Sequence, residues 1–501
     1  MWPAALRACC IQIAIKKTYK TAKLKKGTTL ELDIVDMAFG GKGIAKLPTE
    51  NGEFIVFVNN SIPGQKVAAR ITKKKKRFAE AKLIKVLQPA AEETELPYQR
   101  IPGAPFAAWP IEKQRTAKEQ STLEMFKRLG EWENVEEVFE GYIASPKSWH
   151  YRNKMEYSFS SLRSELGTEE ESWDFALGFK RRGQWWAVEN LDADSGLFDE
   201  QLESQLFRIR EFCEKTGLPA WDPAKSEGFF RFLVVRKSFA QDALLFNLVT
   251  TSKGLDQFDQ AAFVDLLKDI LGEDRLAGVL HSLNDEVGDA VKQLPENQKL
   301  LYGEPKVVEE LLGLSFEISM QSFFQTNPAC AELLYQRAIA YAEEAMAKLG
   351  QEDLWVMDLF CGTGTIAQLL SRSPKIQKII GVDIVPEAIE DAAKNAARNN
   401  IEGIEFYAAD VRKFLWEYPQ FKQKIGVIVL DPPRGGIVPK ALKRVIELEA
   451  PAIVYISCNP ATQARDSLVL KEAGYEAVKL SLVDQFPHTS HIESVILYLK
   501  K

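Results

Sequence analysis

No stretch of the sequence approaches eighteen uncharged apolar residues, so no segment reads as a membrane-spanning helix. Clustered cysteine is also missing. Cys9, Cys10, Cys213, Cys330, Cys361 and Cys458 are scattered, with no C-x-x-C pair and no Cys/His group. That scatter argues against a disulfide framework and a structural zinc site, and it suits a reducing cytoplasm. An overall positive charge is absent too. The formal net charge is -6, so the molecule as a whole is no polycation. The opening stretch, "MWPAALRACCIQIAIKK", has one basic residue ahead of its apolar run and no clear small-residue cleavage site. Residues 1–20 are expected to be an unstructured extension rather than a leader. No tandem repeat is found.

The 501 residues, 46% hydrophobic and 27% charged, have a globular composition and room for about two to four domains. Although net charge is negative, lysine is bunched in "KKTYKTAKLKK" (Lys16 to Lys26) and "RITKKKKR" (Arg70 to Arg77). A single such run is usually a solvated face. Two runs flanking one small domain make a polyanion contact an equal reading. Between them, residues 21–88 hold short alternating runs, "TLELDIVDMAF", "EFIVFVNN", "KVAARIT" and "AEAKLIKVLQ", punctuated by "GGKG" and "SIPGQ". They predict a small all-β barrel of the OB type. Phe39, Phe54 and Phe57 are candidate stacking residues for a nucleic-acid strand, but alternating aromatics are more often core.

Residues 89–145 read as a proline-rich linker followed by a helix, "IEKQRTAKEQSTLEMFKRLG", closed by Gly130. Residues 146–315 mix strands and helices, with basic and aromatic residues interleaved in "WHYRNKMEYSFS" and "FKRRGQWW". A half-buried sheet and an RNA-facing sheet look alike at this level. From 316 to 501 strands and helices alternate, which predicts a mostly parallel, doubly wound sheet.

The chemistry concentrates in that last block. "DLFCGTGT" (Asp358 to Thr365) ends a strand and opens a helix, a turn where backbone can approach a ligand. Asp383 ends the next strand about twenty residues on, where an acid binds ribose hydroxyls. Dinucleotide enzymes and S-adenosylmethionine-dependent methyltransferases share this pair. Asp410 ends the third strand, at adenine height. "LDPPR" (Leu430 to Arg434) ends the fourth in a rigid exposed loop that favours the methyltransferase reading. "VYISCNP" places Cys458 on the same rim, and Asn459 and Pro460 turn the chain there. A thiolate beside a methyl donor suits one acceptor in particular. Addition to carbon 6 of a pyrimidine makes carbon 5 nucleophilic, and a base must then remove the carbon-5 proton. "PHTSHIESVILYLKK" offers His488, His491 and Glu493 as that base. Glu493 heads an otherwise apolar strand, an odd place for a charge unless it faces a site or solvent; it is preferred to either histidine, with a solvated strand start as the alternative.

"SFFQTNPACAELLY", "DLFCGTGT", "GVDIVPEAIEDAAKNA", "LDPPRGG", "VYISCNPATQARD" and "VDQFPHTSHIESVILY" together resemble the RNA uracil-C5 methyltransferase family. "LDIVDMAFGGKGIAK" and "VFVNNSIPGQKV" are similar to its N-terminal TRAM domain, an OB-like RNA-binding barrel. The middle block resembles the family's RNA-binding insertion only loosely, through "YRNKMEYSF" and "FLVVR". The resemblance implies a multidomain α/β protein: a TRAM-like barrel, a central α+β insertion and a Rossmann-like methyltransferase sheet. It implies Cys458 as nucleophile and Glu493 as proton acceptor, with Gln325, Phe360, Thr365, Asp383, Asp410 and Asp431 beside S-adenosylmethionine. Many members also hold an iron–sulfur cluster through cysteines after the barrel. Here that region reads "LPYQRIPGAPFAAW", without cysteine, so no cluster and no metal is expected.

The expected activity is methylation of uridine carbon 5 in RNA by a monomeric cytoplasmic enzyme. Ribosomal RNA, 23S in particular, is favoured as substrate and transfer RNA comes second. An amino-group methyltransferase needs no thiol and does not require "DPPR". A non-catalytic RNA-binding protein would have no use for Cys458 and Glu493.

Overall fold

The computed structural model describes residues 24–49, 52–165, 170–181, 184–288, 297–350, 354–376, 378–421 and 424–501. The expected extension of residues 1–20, with Cys9 and Cys10, and most of the first basic run lie outside them. The chain divides into two compact units at Ala91 and Glu92. No helix among the described residues is long and apolar enough to cross a membrane.

In the first unit, β1 (Thr29–Ala38), β2 (Lys42–Thr49), β3 (Gly52–Asn59), β4 (Lys66–Lys74) and β5 (Phe78–Gln88) close a barrel in the order β1-β2-β3-β5-β4. Strict alternation makes this possible. Phe54, Val56 and Val58 point inward from β3, as Val67, Ala69 and Ile71 do from β4. Gly43 permits the closest approach: a Cβ there would stand 2.1 Å from Ser61 Oγ and 2.7 Å from Ile34 Cγ2. Of the three candidate stacking rings, Phe54 is core. Phe57 is half-buried in an edge contact with Phe78, and Phe39 is half-buried near the β1–β2 turn. Lys73 to Arg77 are exposed at the β4–β5 turn.

The second unit opens with the stretch that reads as a linker. It forms no helix or strand, yet it packs: Ile101, Ala104, Phe106 and Trp109 are buried. Helix α1 (Ile111–Leu129) follows and ends at Gly130 as predicted, though with φ −91° rather than in the left-handed region. After α2 (Val135–Val138) comes a strand the sequence reading left inside its linker and helix region, β6 (Phe139–Ile143).

The central sheet is built from β7 (Lys154–Ser164), β8 (Glu171–Arg181), β9 (Gln184–Asn190), β10 (Phe230–Ser238), β11 (Ala243–Thr250), β12 (Leu276–Leu283) and β13 (Gln298–Gly303). Helices α3 (Glu200–Glu203), α4 (Leu206–Lys215) and α5 (Gln260–Leu271) lie between its strands in sequence. Both faces of β10 are covered. Leu233 and Val235 join the core beside α4 and α5, whereas Phe232 and Val234 join the core shared with the C-terminal block.

A hairpin, β14 (Lys306–Leu311) and β15 (Leu314–Ser319), leads to α6 (Pro328–Leu349). Asn327 caps α6 by accepting from the Cys330 N–H, Pro328 pre-sets its first turn, and Gly350 closes it at φ +63°. Leu334, Ala338, Tyr341, Ala342 and Ala345 form its buried stripe. The catalytic block then alternates β16 (Trp355–Leu359), α7 (Thr365–Leu370), β17 (Ile379–Asp383), α8 (Pro386–Arg398), β18 (Ile404–Ala408), α9 (Val411–Glu417), β19 (Ile425–Leu430), α10 (Pro439–Glu447), β20 (Ala452–Ser457), α11 (Pro460–Glu472), β21 (Tyr475–Val483) and β22 (Glu493–Lys500). Strand order is β18-β17-β16-β19-β20-β22-β21-β6, with β22 antiparallel to both neighbours. β6 completes the sheet by pairing parallel with β21.

The loop between β21 and β22 is held from several directions. Lys118 Nζ on α1 lies 2.6 Å from Asp484 Oδ1 and donates to the Phe486 carbonyl; Lys118 is 3% exposed and Asp484 is fully buried. Gln114 brackets His488 by accepting from its backbone N–H and meeting its ring Nδ1. Trp149 stacks on the His488 ring at 3.7 Å, and the Tyr151 hydroxyl donates to the Pro487 carbonyl. Lys118→Met would leave the buried Asp484 carboxylate with only the longer ion pair to Arg115, 3.9 Å from its Oδ2, which destabilises by up to about 3–5 kcal/mol. The expected result is a lower denaturation midpoint, partly restored in Lys118→Met/Asp484→Leu. A midpoint equal to wild type would mean the pair is not desolvated.

Candidate active site

Strand register decides what stands at the carboxyl edge of the catalytic sheet. Leu359 of β16 lies against Val382 of β17 and Leu430 of β19, and Leu430 lies against Tyr455 of β20. Asp358, Asp383, Asp431 and Cys458 therefore stand within two residues of adjacent strand ends, and Asp410 follows β18. β22 arrives from the opposite direction, with Ser494 against Ser457. One step further in that register sets Glu493 across from Cys458. Directly opposed antiparallel residues hold their Cβ atoms about 4.5–5.5 Å apart. From Asp383 to Glu493 is a span of four strand spacings, about 19 Å at the usual separation.

The first part of this rim is shaped for a polar ligand. Phe360 takes a left-handed conformation, φ +66°, a strained choice for a bulky residue. Gly362 and Gly364 continue the turn at φ +53° and +72°. Asp383 accepts from the Gly362 N–H at 2.9 Å and from the Val385 N–H at 3.0 Å, which orients its carboxylate on the turn. Thr365 is buried at the start of α7. Asp358 is fully buried; its Oδ2 accepts from the Ala367 N–H at 3.0 Å, while its Oδ1 meets no hydrogen-bond donor.

The second part is a group of acids held in a dry place. Burial pushes the Glu493 carboxyl well above its usual range, and Asp431 adds to this while Arg434 opposes it. Burial raises Asp431 to about 7. Cys458 is half-buried, and burial, Glu493 and Asp431 push its thiol up to about 12, with Arg434 pulling the other way. Asp358 is raised well above the ordinary range by burial and then by Asp431. Burial and mutual repulsion thus favour the neutral forms of these groups, and a cation entering the rim would favour the ionised ones.

Glu493 is 2% exposed, so the solvated strand start is the wrong reading of it. The two histidines are engaged elsewhere. His488 is buried against Trp149, and burial lowers it to about 4. His491 is exposed and meets the Arg434 guanidinium at 2.6 Å. Gln325 is brought to the rim by the loop before α6: Gln485 donates to its side chain, and Asn153 donates to its carbonyl. Tyr335 was not legible in the sequence. Its hydroxyl is buried, hydrogen-bonded to Gln325 and raised further by Asp431 and Glu493. One helical residue among several apolar ones leaves no local signal. Arg434 lay within a quoted motif, but only the fold shows it beside Cys458, where Asn459 Nδ2 donates to its carbonyl.

A parallel sheet with a glycine-rich first turn, acids at successive strand ends and a thiol opposite a carboxyl defines a nucleotide-binding transferase. Residues 296–501 match the family model described as tRNA (Uracil-5-)-methyltransferase, and residues 23–84 match the TRAM domain. An RNA methyltransferase of Clostridium tetani is 38% identical over 477 residues, covering 94% of this chain and 98% of its own. One from Clostridium acetobutylicum is 37% identical, covering 95% and 99%. A solved structure of Pyrococcus abyssi tRNA (uracil-54, C5)-methyltransferase with S-adenosyl-L-homocysteine shares the fold. Its TM-score is 0.65 at 22% identity, covering 94% of this chain and all of that one. The chain belongs to the RNA uracil-C5 methyltransferase family, with an N-terminal TRAM domain.

A thiol raised to about 12 is almost entirely protonated near neutrality. Alkylation of Cys458 by iodoacetamide, followed by peptide mass spectrometry, should accelerate about tenfold per pH unit between pH 7 and 10. Arg434→Ala should slow it. A rate that levels off before pH 9 would contradict the burial of this thiol.

Proposed function

We propose that this protein transfers a methyl group from S-adenosylmethionine to carbon 5 of a uridine in RNA. The observation that carries this reading is the β20–β22 register ending at Ser457 with Ser494, beside which Glu493 is close enough to Cys458 to perturb its thiol, one strand away from Asp431. Cys458 acts as nucleophile and Glu493 as proton acceptor. Gln325, Phe360, Thr365, Asp383, Asp410 and Asp431, along the other half of the rim, would hold the methyl donor. The residues fit such a group: Asp383 is oriented by two backbone donors, and a buried Asp358 oxygen has no partner. When bound, S-adenosylmethionine supplies an electrophilic methyl and a positive charge.

The side chains supply the rest. The Cys458 thiolate forms a bond to carbon 6 and leaves negative charge on carbon 5, which takes the methyl. The Glu493 carboxylate then removes the carbon-5 proton, the carbon–sulfur bond breaks, and the thiolate is restored. Burial favours the neutral form of both groups. A cation at Asp431, together with Arg434, favours the ionised forms needed for each step.

Ribosomal RNA, 23S in particular, is the favoured substrate because a TRAM barrel with an exposed basic turn suits a large structured RNA. Transfer RNA is the second candidate. The enzyme acts as a cytoplasmic monomer without an iron–sulfur cluster. Stoichiometric iron in anaerobically purified protein would overturn the last point.

RNA carrying 5-fluorouridine cannot lose its carbon-5 substituent, so it should form a covalent adduct that Cys458→Ala abolishes. Glu493→Gln should accumulate covalent RNA after methyl transfer, with turnover down at least about a hundredfold; free turnover would remove Glu493 from its role. Asp431 holds its proton up to about pH 7, and a sulfonium favours the carboxylate. Affinity for S-adenosylmethionine should therefore rise up to about tenfold from pH 6 to 8, while affinity for uncharged-sulfur S-adenosylhomocysteine stays nearly level. Parallel titration of both ligands by calorimetry reads the difference.

A further inference from the structure

A cavity of about 540 Å³ lies between the start of β7, β10 and the loop that leads to α6. Its size suits one nucleotide unit. Arg152, Lys154 and Arg236 line it, with Glu156 as the only acid on its wall among the described residues. Lys154 Nζ contacts Glu156 at 2.8 Å, so two positive charges remain in excess. Arg236 is the telling residue. It is 1% exposed on the central strand of a sheet, where a cation is costly to keep. Its Nη2 donates to the Ser322 carbonyl at 2.7 Å, yet its Nε and Nη1 have no acceptor. The Thr326 hydroxyl, also on the cavity wall, is buried without a partner too. Unpaired buried donors around a surplus of positive charge call for an anion with several oxygens, and a guanidinium fork fits phosphate.

The same loop faces both ways. Thr326 and its neighbours line the cavity, while Gln325 points to Tyr335 and Gln485 at the rim. The cavity and the methyl-transfer site are thus separated by one extended segment. We infer that Arg152, Lys154 and Arg236 bind a phosphodiester group of the RNA next to the uridine being methylated. This rests on the proposed function. The bound group fixes the register of the strand, so that one uridine and not its neighbour meets Cys458.

The test uses full-length protein and unmodified transcripts of 23S ribosomal RNA and of transfer RNA, with binding measured across 50 to 300 mM KCl. Arg152→Ala and Lys154→Ala alter partly exposed side chains and should fold normally, whereas Arg236→Lys tests the buried fork. Each variant should lose at least about fivefold in RNA affinity at 100 mM salt. The two alanine variants should also lower the slope of log affinity against log salt, by about 0.7 at most for a single shared single-strand phosphate, whereas Arg236→Lys keeps its charge and should leave the slope unchanged. The dissociation constant for S-adenosylhomocysteine should stay at the wild-type value. Wild-type slopes in both alanine variants would overturn the inference, as would equal inhibition of both proteins by inorganic phosphate with RNA affinity unaltered. If no RNA is methylated, the proposed function fails, and the salt slopes still decide whether the cavity holds phosphate.

Discussion

The antiparallel entry of β22 between β20 and β21 is the constraint on which the reaction centre depends. In a wholly parallel sheet every strand would bring its carboxyl end to the ligand edge. Reversal of one strand brings an amino end there instead, and with it Glu493 opposite Cys458. Because side chains alternate with period two, a slip of one residue would turn Glu493 away from the thiol altogether. The register is pinned by an uninterrupted run of pairs from Ala452 with Leu499 to Ser457 with Ser494, fully buried over most of its length.

The loop ahead of β22 has to hold that register under load. It carries Asp484, Gln485 and His488 in the interior, where loops seldom go because buried polar groups need partners; most find one, while Asp484 Oδ2, Gln485 Oε1 and His488 Nε2 have no hydrogen bond. Here α1 supplies Lys118 and Gln114, the start of the central domain supplies Trp149 and Tyr151, and Asn327 donates to the Gln485 carbonyl. Phe106 donates from its backbone to the His488 carbonyl, which ties in the cysteine-free segment before α1. Within that segment Phe106 makes an edge contact with Trp109, and Gln114 donates to the carbonyls of both.

Much of this architecture could be read from residues alone, for a physical reason. A parallel strand buried on both faces is a short apolar run, and the first polar residue after it marks the edge where ligands bind. Asp383, Asp431 and Cys458 stand out by that contrast. Glu493 stood out as a charge heading an apolar strand, but such a charge can face a site or solvent, and only packing shows it to be dry. Tyr335 was invisible for the opposite reason: it sits in an apolar pattern, and its partners lie far away in sequence; Arg236 lay within the quoted "FLVVR", but its burial and its unpaired donors come only from the fold. β6 was missed because "FEGYI" is short and half polar, and its pairing partner lies more than three hundred residues on. The segment around Phe106 lacked periodicity and read as a spacer, although irregular backbone can be as tightly packed as a helix.

β6 has a further consequence, which concerns the order in which the protein is made. Its partner β21 is among the last strands to be synthesised, so the edge of the catalytic sheet must wait for nearly the whole chain. The same holds for α1, whose Lys118 has no counter-ion until Asp484 has been added. The barrel and the central sheet can fold as they emerge, each with its own core. The catalytic layer instead closes around segments already on either side of it, a long-range step that is intrinsically slow. An enzyme whose active centre assembles last has no functional site while its own message is still being read.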